Sequence, residues 1–170
     1  MVFFAYGSNM LTSRLRERVP SAAPRGIGQL RGHILAWNKR SRADGSGKCD
    51  AEATGRESDM LWGVLFEIDA QHKPSLDRAE GLGAGYAEKV VKILTPAGEV
   101  DAITYCATDK DPILRPYRWY TALVIAGARE HGLPVEYRRR LELVVTVSDF
   151  NSAGTMRHGE RHRIRQFPGH

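Results

Sequence analysis

Residues 3–10 read Phe3-Phe4-Ala5-Tyr6-Gly7-Ser8-Asn9-Met10, an apolar run that breaks into a small polar turn. Phe3 and Phe4 suit a buried strand. Gly7 permits backbone dihedrals that residues with side chains resist. Ser8 or Asn9 is placed to cap a helix over residues 10–18. A strand, a turn and a helix start present several backbone N–H groups at one point. Such a point can bind an anion, commonly a phosphate or a carboxylate. The same string also reads as an ordinary first strand with a capped helix.

A single carboxylate, Glu80, holds the second chemically suggestive position. Leu76-Asp77-Arg78-Ala79-Glu80-Gly81 ends a helical pattern, and Leu82-Gly83-Ala84-Gly85-Tyr86 follows as a glycine-rich loop. A solvated residue in a last helical turn is the plain reading. A negative charge at a helix C-terminus is electrostatically unfavourable, however, so the position asks for a reason.

Other patterns do not carry chemistry. Gly81, Gly83 and Gly85 are spaced G-x-G-x-G after a helix, not as a dinucleotide fingerprint after a strand. Ser8 lacks the G-x-S-x-G setting of a hydrolase nucleophile. His158 and His162 are four residues apart, but the H-E-x-x-H order is missing and Gly159 weakens a helix there.

The elements that must position these groups alternate irregularly. Strands are expected over 2–6, 25–29, 32–38, 51–56 and 61–68, with 51–56 and 61–68 pairing antiparallel across Glu57–Asp59. Residues 40–50 are polar and Gly/Ser-rich and read as a surface loop. Asp69 would cap a helix over 70–79, with Pro74 in its first turn. Residues 86–94 and 99–107 read as a hairpin turning at Pro96-Ala97-Gly98. Pro116 opens a helix that Gly132 and Pro134 stop, and 135–145 suits another. Many strands with few interleaved helices indicate an α+β fold.

At 170 residues and 42% hydrophobic content the chain suits one domain with a sizeable core. We expect that domain over residues 1–149 and a basic tail over 150–170, free or docked on it. No apolar run approaches the ~20 residues that span a bilayer, and no secretory signal pattern is present. Cys49 and Cys106 have neither metal-site nor redox-motif spacing, which suits a reduced, cytoplasmic chain. The 25 Lys and Arg exceed the 20 Asp and Glu, giving a net charge of +5. Arginines cluster at 138–140 and in the tail, yet no nucleic-acid-binding signature accompanies them. The basic balance instead fits a solvated face or an attraction for acidic metabolites.

Five segments in order resemble the γ-glutamyl cyclotransferase (AIG2-like) family. They are F-F-A-Y-G-S-N-M at 3–10, L-W-G-V-L-F-E-I at 61–68, S-L-D-R-A-E-G with its following tyrosine at 75–86, Tyr120 to Gly127-Ala128, and H-G-L-P-V-E-Y at 131–137. The resemblance fades after Asp149. It implies a small, mixed, mostly antiparallel β-barrel with helices outside. It also implies an enzyme that cyclises a γ-glutamyl amino acid or amine to 5-oxoproline, with Glu80 as general base and then acid. Backbone around Tyr6, Gly7, Ser8, Asn9 and Met10 would hold the substrate carboxylate or the developing oxyanion. Tyr86, Tyr105 and Tyr120 would supply pocket hydroxyls. No metal or organic cofactor is implied, and the partner is a small γ-glutamyl molecule; a homodimer is left open. Asn9 stands where glutathione-selective members carry another residue, which implies a broader γ-glutamyl range. A member of the same fold that only binds a small acid is the alternative.

Overall fold

The apolar run at 61–68 becomes the strand on which the barrel is built. In a computed structural model that describes residues 1–148, this strand, β5 (Met60–Glu67), has neighbours on both edges. β1 (Val2–Ala5) pairs antiparallel on one side and β2 (Ala23–Arg31) on the other. β6 (Tyr86–Thr95) and β7 (Gly98–Ala107) form the expected hairpin. β2 pairs with β6, and β1 meets β7 in parallel at Phe3 and Ile103, so the order β1-β5-β2-β6-β7 closes on itself. Closure leaves no exposed strand edge in this sheet. Phe4, Val64 and Phe66 are fully buried in the core. The result is the expected α+β barrel, mixed because of that one parallel pairing.

One pairing differs from the sequence expectation. β4 runs Gly47–Ala53 and pairs with β3 (His33–Arg40), forming a separate two-stranded sheet. It does not pair with β5, because both edges of β5 are already taken by β1 and β2. The surface loop shrinks to residues 41–46. Polar residues concealed the first half of β4, 47–50, while 51–53 fall in the expected strand. Asp50 has no exposed surface, accepts the Ala107 N–H at 2.7 Å and pairs with Lys110.

Four α-helices pack around the barrel among the described residues: α1 (Thr12–Arg18), α2 (Lys73–Glu80), α3 (Arg118–Glu130) and α4 (Val135–Glu142). Pro74 falls in the first turn of α2, where its missing N–H costs nothing. A 3₁₀ turn, Ser8–Met10, replaces the expected start of α1, so neither Ser8 nor Asn9 caps that helix. The Glu130 carboxylate takes the Thr12 N–H instead, at 3.0 Å. α4 ends three residues before the expected Val145, and the basic tail lies outside the described residues.

α3 buries Tyr120, Val124, Gly127 and Ala128 on one face, at helical spacing. Gly127 lets this face touch the 3₁₀ turn: a Cβ there would come within 2.5 Å of the Leu11 nitrogen and 2.7 Å of Met10 Cβ. Gly127→Val should therefore push helix and turn apart and lower stability by about 1–3 kcal/mol. Urea unfolding checks this, and an unchanged midpoint would show that the contact has room to give.

Candidate active site

Gly81 ends α2 in a left-handed conformation (φ +68°) and turns the chain away immediately after Glu80. Glu80 is thereby fixed on the wall of a cavity of about 360 Å³. Asn9 Nδ2 donates to Glu80 Oε1 at 2.6 Å, and Arg18 Nη1 reaches the same oxygen at 3.3 Å. Arg18 Nη1 also donates to Asn9 Oδ1 at 2.9 Å, which closes a triangle. The guanidinium answers the electrostatic problem posed by a carboxylate at a helix C-terminus. Sequence reading missed Arg18, because nothing local links the end of α1 to the end of α2.

Three of the four expected tyrosines have their hydroxyls committed to the backbone of the cavity floor. Tyr6 donates to the Tyr105 carbonyl. Tyr86 donates to the Cys49 carbonyl at 2.6 Å, and the Cys49 N–H donates to the Tyr120 oxygen at 3.1 Å. Burial, above all other causes, pushes these three phenols well above the usual tyrosine range, so they stay neutral. Burial also pushes the Cys49 thiol up to about 12, which makes it unreactive near neutrality. Cys49 was read for its thiol and not as a cavity residue, because residues 40–50 read as loop.

Tyr105 lines the same cavity, but its hydroxyl points to a different task. It donates to Asp77 at 2.6 Å, and Lys73 bridges Asp77 and Glu88. Asp77 sits three residues before Glu80 on α2. Tyr105 thus fastens that helix to β7.

The N-terminal turn needs its glycine for space. Gly7 has φ −112°, outside the left-handed region. A Cβ at Gly7 would lie 3.0 Å from Cys49 Cβ and 3.4 Å from the Tyr120 hydroxyl. Ser8 and Asn9 line the cavity, and Ser8 Oγ accepts from Arg14 Nε at 3.1 Å. The first N–H groups of a 3₁₀ turn have no partner within it. Met10 departs from expectation: its side chain is fully buried in the core, and its N–H is spent on Gly7 O at 3.0 Å.

Charge around the cavity is strongly one-sided. Arg14, Arg18, Lys39, Arg42, Lys48 and Arg78 line it, against the carboxylates of Asp44 and Glu80. Such a surface favours an anionic ligand. Among the described residues, no group of three or more His, Cys, Asp or Glu side chains is placed to hold a metal ion, and no helix is long and apolar enough to cross a membrane.

Known proteins share this arrangement of barrel and helices. Residues 60–141 match the AIG2-like family. The human γ-glutamylcyclotransferase is 33% identical over 147 residues, covering 84% of this chain and 78% of that protein, and the bovine one is 32% identical over the same length. A solved γ-glutamyl cyclotransferase structure superposes with a TM-score of 0.80 at 30% identity, over 86% of this chain and 89% of that one. A yeast γ-glutamyl cyclotransferase specific to glutathione shares the fold at a TM-score of 0.58, but only 10% identity, over 83% of this chain and 93% of its own. At these identities, over most of both chains, the chain belongs to the γ-glutamylcyclotransferase family and is an enzyme of that type.

Proposed function

We propose that this protein converts a γ-glutamyl amino acid or γ-glutamyl amine to 5-oxoproline and the free amino acid or amine. The observation that carries the reading is Glu80, held at the cavity wall by Asn9 and Arg18. In the reaction the substrate's own α-nitrogen attacks its γ-carbonyl carbon. A new C–N bond closes a five-membered lactam, and the old amide C–N bond breaks. One proton must leave the attacking nitrogen and one must reach the departing nitrogen, and a single carboxylate can carry it between them. Both Asn9 and Arg18 bond to Oε1, which leaves Oε2 as the oxygen for proton transfer among the described contacts.

The rest of the cavity serves positioning. Because the reaction is intramolecular, holding the γ-glutamyl chain curled supplies a large share of the rate. The neutral phenols of Tyr6, Tyr86 and Tyr120 form a rigid floor, since their hydroxyls are already bonded. Backbone N–H groups near Ser8 and Asn9 are the donors we assign to the oxyanion or the substrate carboxylate. A cavity of about 360 Å³ suits a dipeptide-sized molecule, and its inward-facing cations suit a carboxylate ligand better than a polynucleotide. The buried free thiols Cys49 and Cys106 fit a reducing, cytoplasmic setting.

Glu80→Gln should keep the fold, checked by circular dichroism, and cut 5-oxoproline release by ~10²–10⁴-fold. Wild-type turnover in that variant would remove Glu80 from the mechanism. Gly7→Val should weaken binding of 5-oxoproline, measured by calorimetry, because the added methyls press on Cys49 and Tyr120. Unaltered affinity would place the ligand away from this turn. Oligonucleotide titration near ~150 mM salt should give only weak, sequence-independent binding. Tight, sequence-dependent binding without 5-oxoproline release would replace the enzyme reading with a binding one.

A further inference from the structure

Four of the six cations around the cavity are engaged by the protein itself. Arg14 bonds Ser8, Arg18 bonds Asn9 and Glu80, Lys48 bonds Asp44 and Ser46, and Arg78 bonds Ser75. Lys39 and Arg42 differ. Both line the cavity, and among the described residues neither side chain forms a hydrogen bond or an ion pair.

The position of Lys39 is built into the backbone. β3 pairs Ala36 with Asp50 but Lys39 with Lys48, so an extra residue is inserted in β3 between them. A bulge of this kind breaks the alternation of a strand and re-aims the side chain that follows. The Lys39 ammonium lies 4.7 Å from the centre of the Tyr86 ring, whose hydroxyl belongs to the cavity floor. Its other side rests on the glycine loop that leads out of Glu80. A Cβ on Gly85 would approach Lys39 Cε to 3.1 Å and Nζ to 3.3 Å, and Gly85 has φ +155°. Partial burial lowers the proton affinity of Lys39, against the pull of the Glu80 charge. A half-buried ammonium without an anion is an unfavourable state, and a ligand carboxylate would relieve it.

The two halves of a γ-glutamyl substrate make different demands. The γ-glutamyl half must fold back on itself beside Glu80. The departing half extends from the γ-carbon on the far side of the breaking bond. If that half is an amino acid, it carries a carboxylate next to the carbon that bears the departing nitrogen. If it is a simple amine, it does not.

We propose that Lys39, with Arg42 beside it, forms the leaving-group subsite and selects γ-glutamyl amino acids over γ-glutamyl amines by binding the carboxylate of the departing amino acid. This assignment rests on the cyclotransferase reading given above.

The test compares γ-glutamyl-alanine with γ-glutamyl-ethylamide, which differ only by that carboxylate. Wild-type protein should prefer γ-glutamyl-alanine in kcat/KM. Lys39→Met should lose about 10–100-fold on γ-glutamyl-alanine, mainly through KM, as expected for one charge-assisted hydrogen bond. Its activity on γ-glutamyl-ethylamide should change little, which also shows that the variant folds. Arg42→Met should give a smaller loss in the same direction, because this side chain is exposed and screened. Where ethylamide turnover is too slow to follow, its inhibition constant serves as the readout. Equal losses on both compounds would overturn the subsite, since Lys39 would then serve the γ-glutamyl half. An unchanged KM for γ-glutamyl-alanine would also overturn it. Failure of wild-type protein to release 5-oxoproline from either compound would overturn the cyclotransferase reading itself, a result distinct from either of those.

Discussion

A carboxylate at the C-terminal end of α2, turned into a cavity, is the constraint around which the fold is organised. Glu80 retains only 14% of its side-chain exposure, and Arg18 retains 25%. Removing charges from water costs more than their attraction returns unless hydrogen bonds complete the arrangement. Asn9 completes it, with its amide nitrogen on Glu80 and its carbonyl taking Arg18. Two regions distant in sequence must therefore converge: the first turn with the end of α1, and the end of α2. The barrel is what makes them converge. β1, paired with β5 on one edge and β7 on the other, delivers the turn, and Gly127 lets α3 lock that turn from outside.

A second set of contacts fixes α2 itself. Tyr105, on β7, accepts Tyr6 at its carbonyl and donates its hydroxyl to Asp77. A single residue thus ties the start of the chain, the barrel wall and the helix that carries Glu80. Cys49 does the corresponding work for the floor through its backbone, holding Tyr86 by its carbonyl and Tyr120 by its N–H. Neither residue needs reactive chemistry for this. Both are positioned by strands, which hold geometry more tightly than loops do.

What the sequence disclosed follows the range of the interactions involved. The hairpin at 86–107, the apolar run of β5 and the glycine stop after Glu80 are local signals, and each appears where expected. The parallel contact between Phe3 and Ile103, the Arg18–Glu80 pair and the Tyr105–Asp77 bond are not local, and no spacing rule announces them. The first half of β4 was missed for a different reason. Residues 47–50 are polar and read as loop, yet Asp50 and the Cys49 backbone are engaged by partners from β7, α3 and the loop after β7. Burial of polar groups depends on what surrounds them, and that is knowable only after the fold is formed. Gly7 was read for its conformational freedom but is required for its lack of a Cβ, a distinction that only the approach of Cys49 reveals.

The cavity divides into two electrostatic layers, and the division bears on how substrate would enter and settle. The floor is neutral, because burial keeps the phenols and the Cys49 thiol protonated. The wall and rim are cationic, with Lys39, Arg42 and Arg78 beside the triangle that holds Glu80. A low-dielectric floor strengthens the field from the rim, so charges placed there act more strongly than they would on an open surface. An approaching anion meets that field first and is drawn in before any hydrogen bond forms. Glu80 would repel the same anion, but Arg18 and the Asn9 amide already engage its charge. The ion pair that lets a carboxylate reside in the cavity would therefore also let a carboxylate-bearing ligand approach it, so that structural tolerance and ligand access would depend on the same guanidinium.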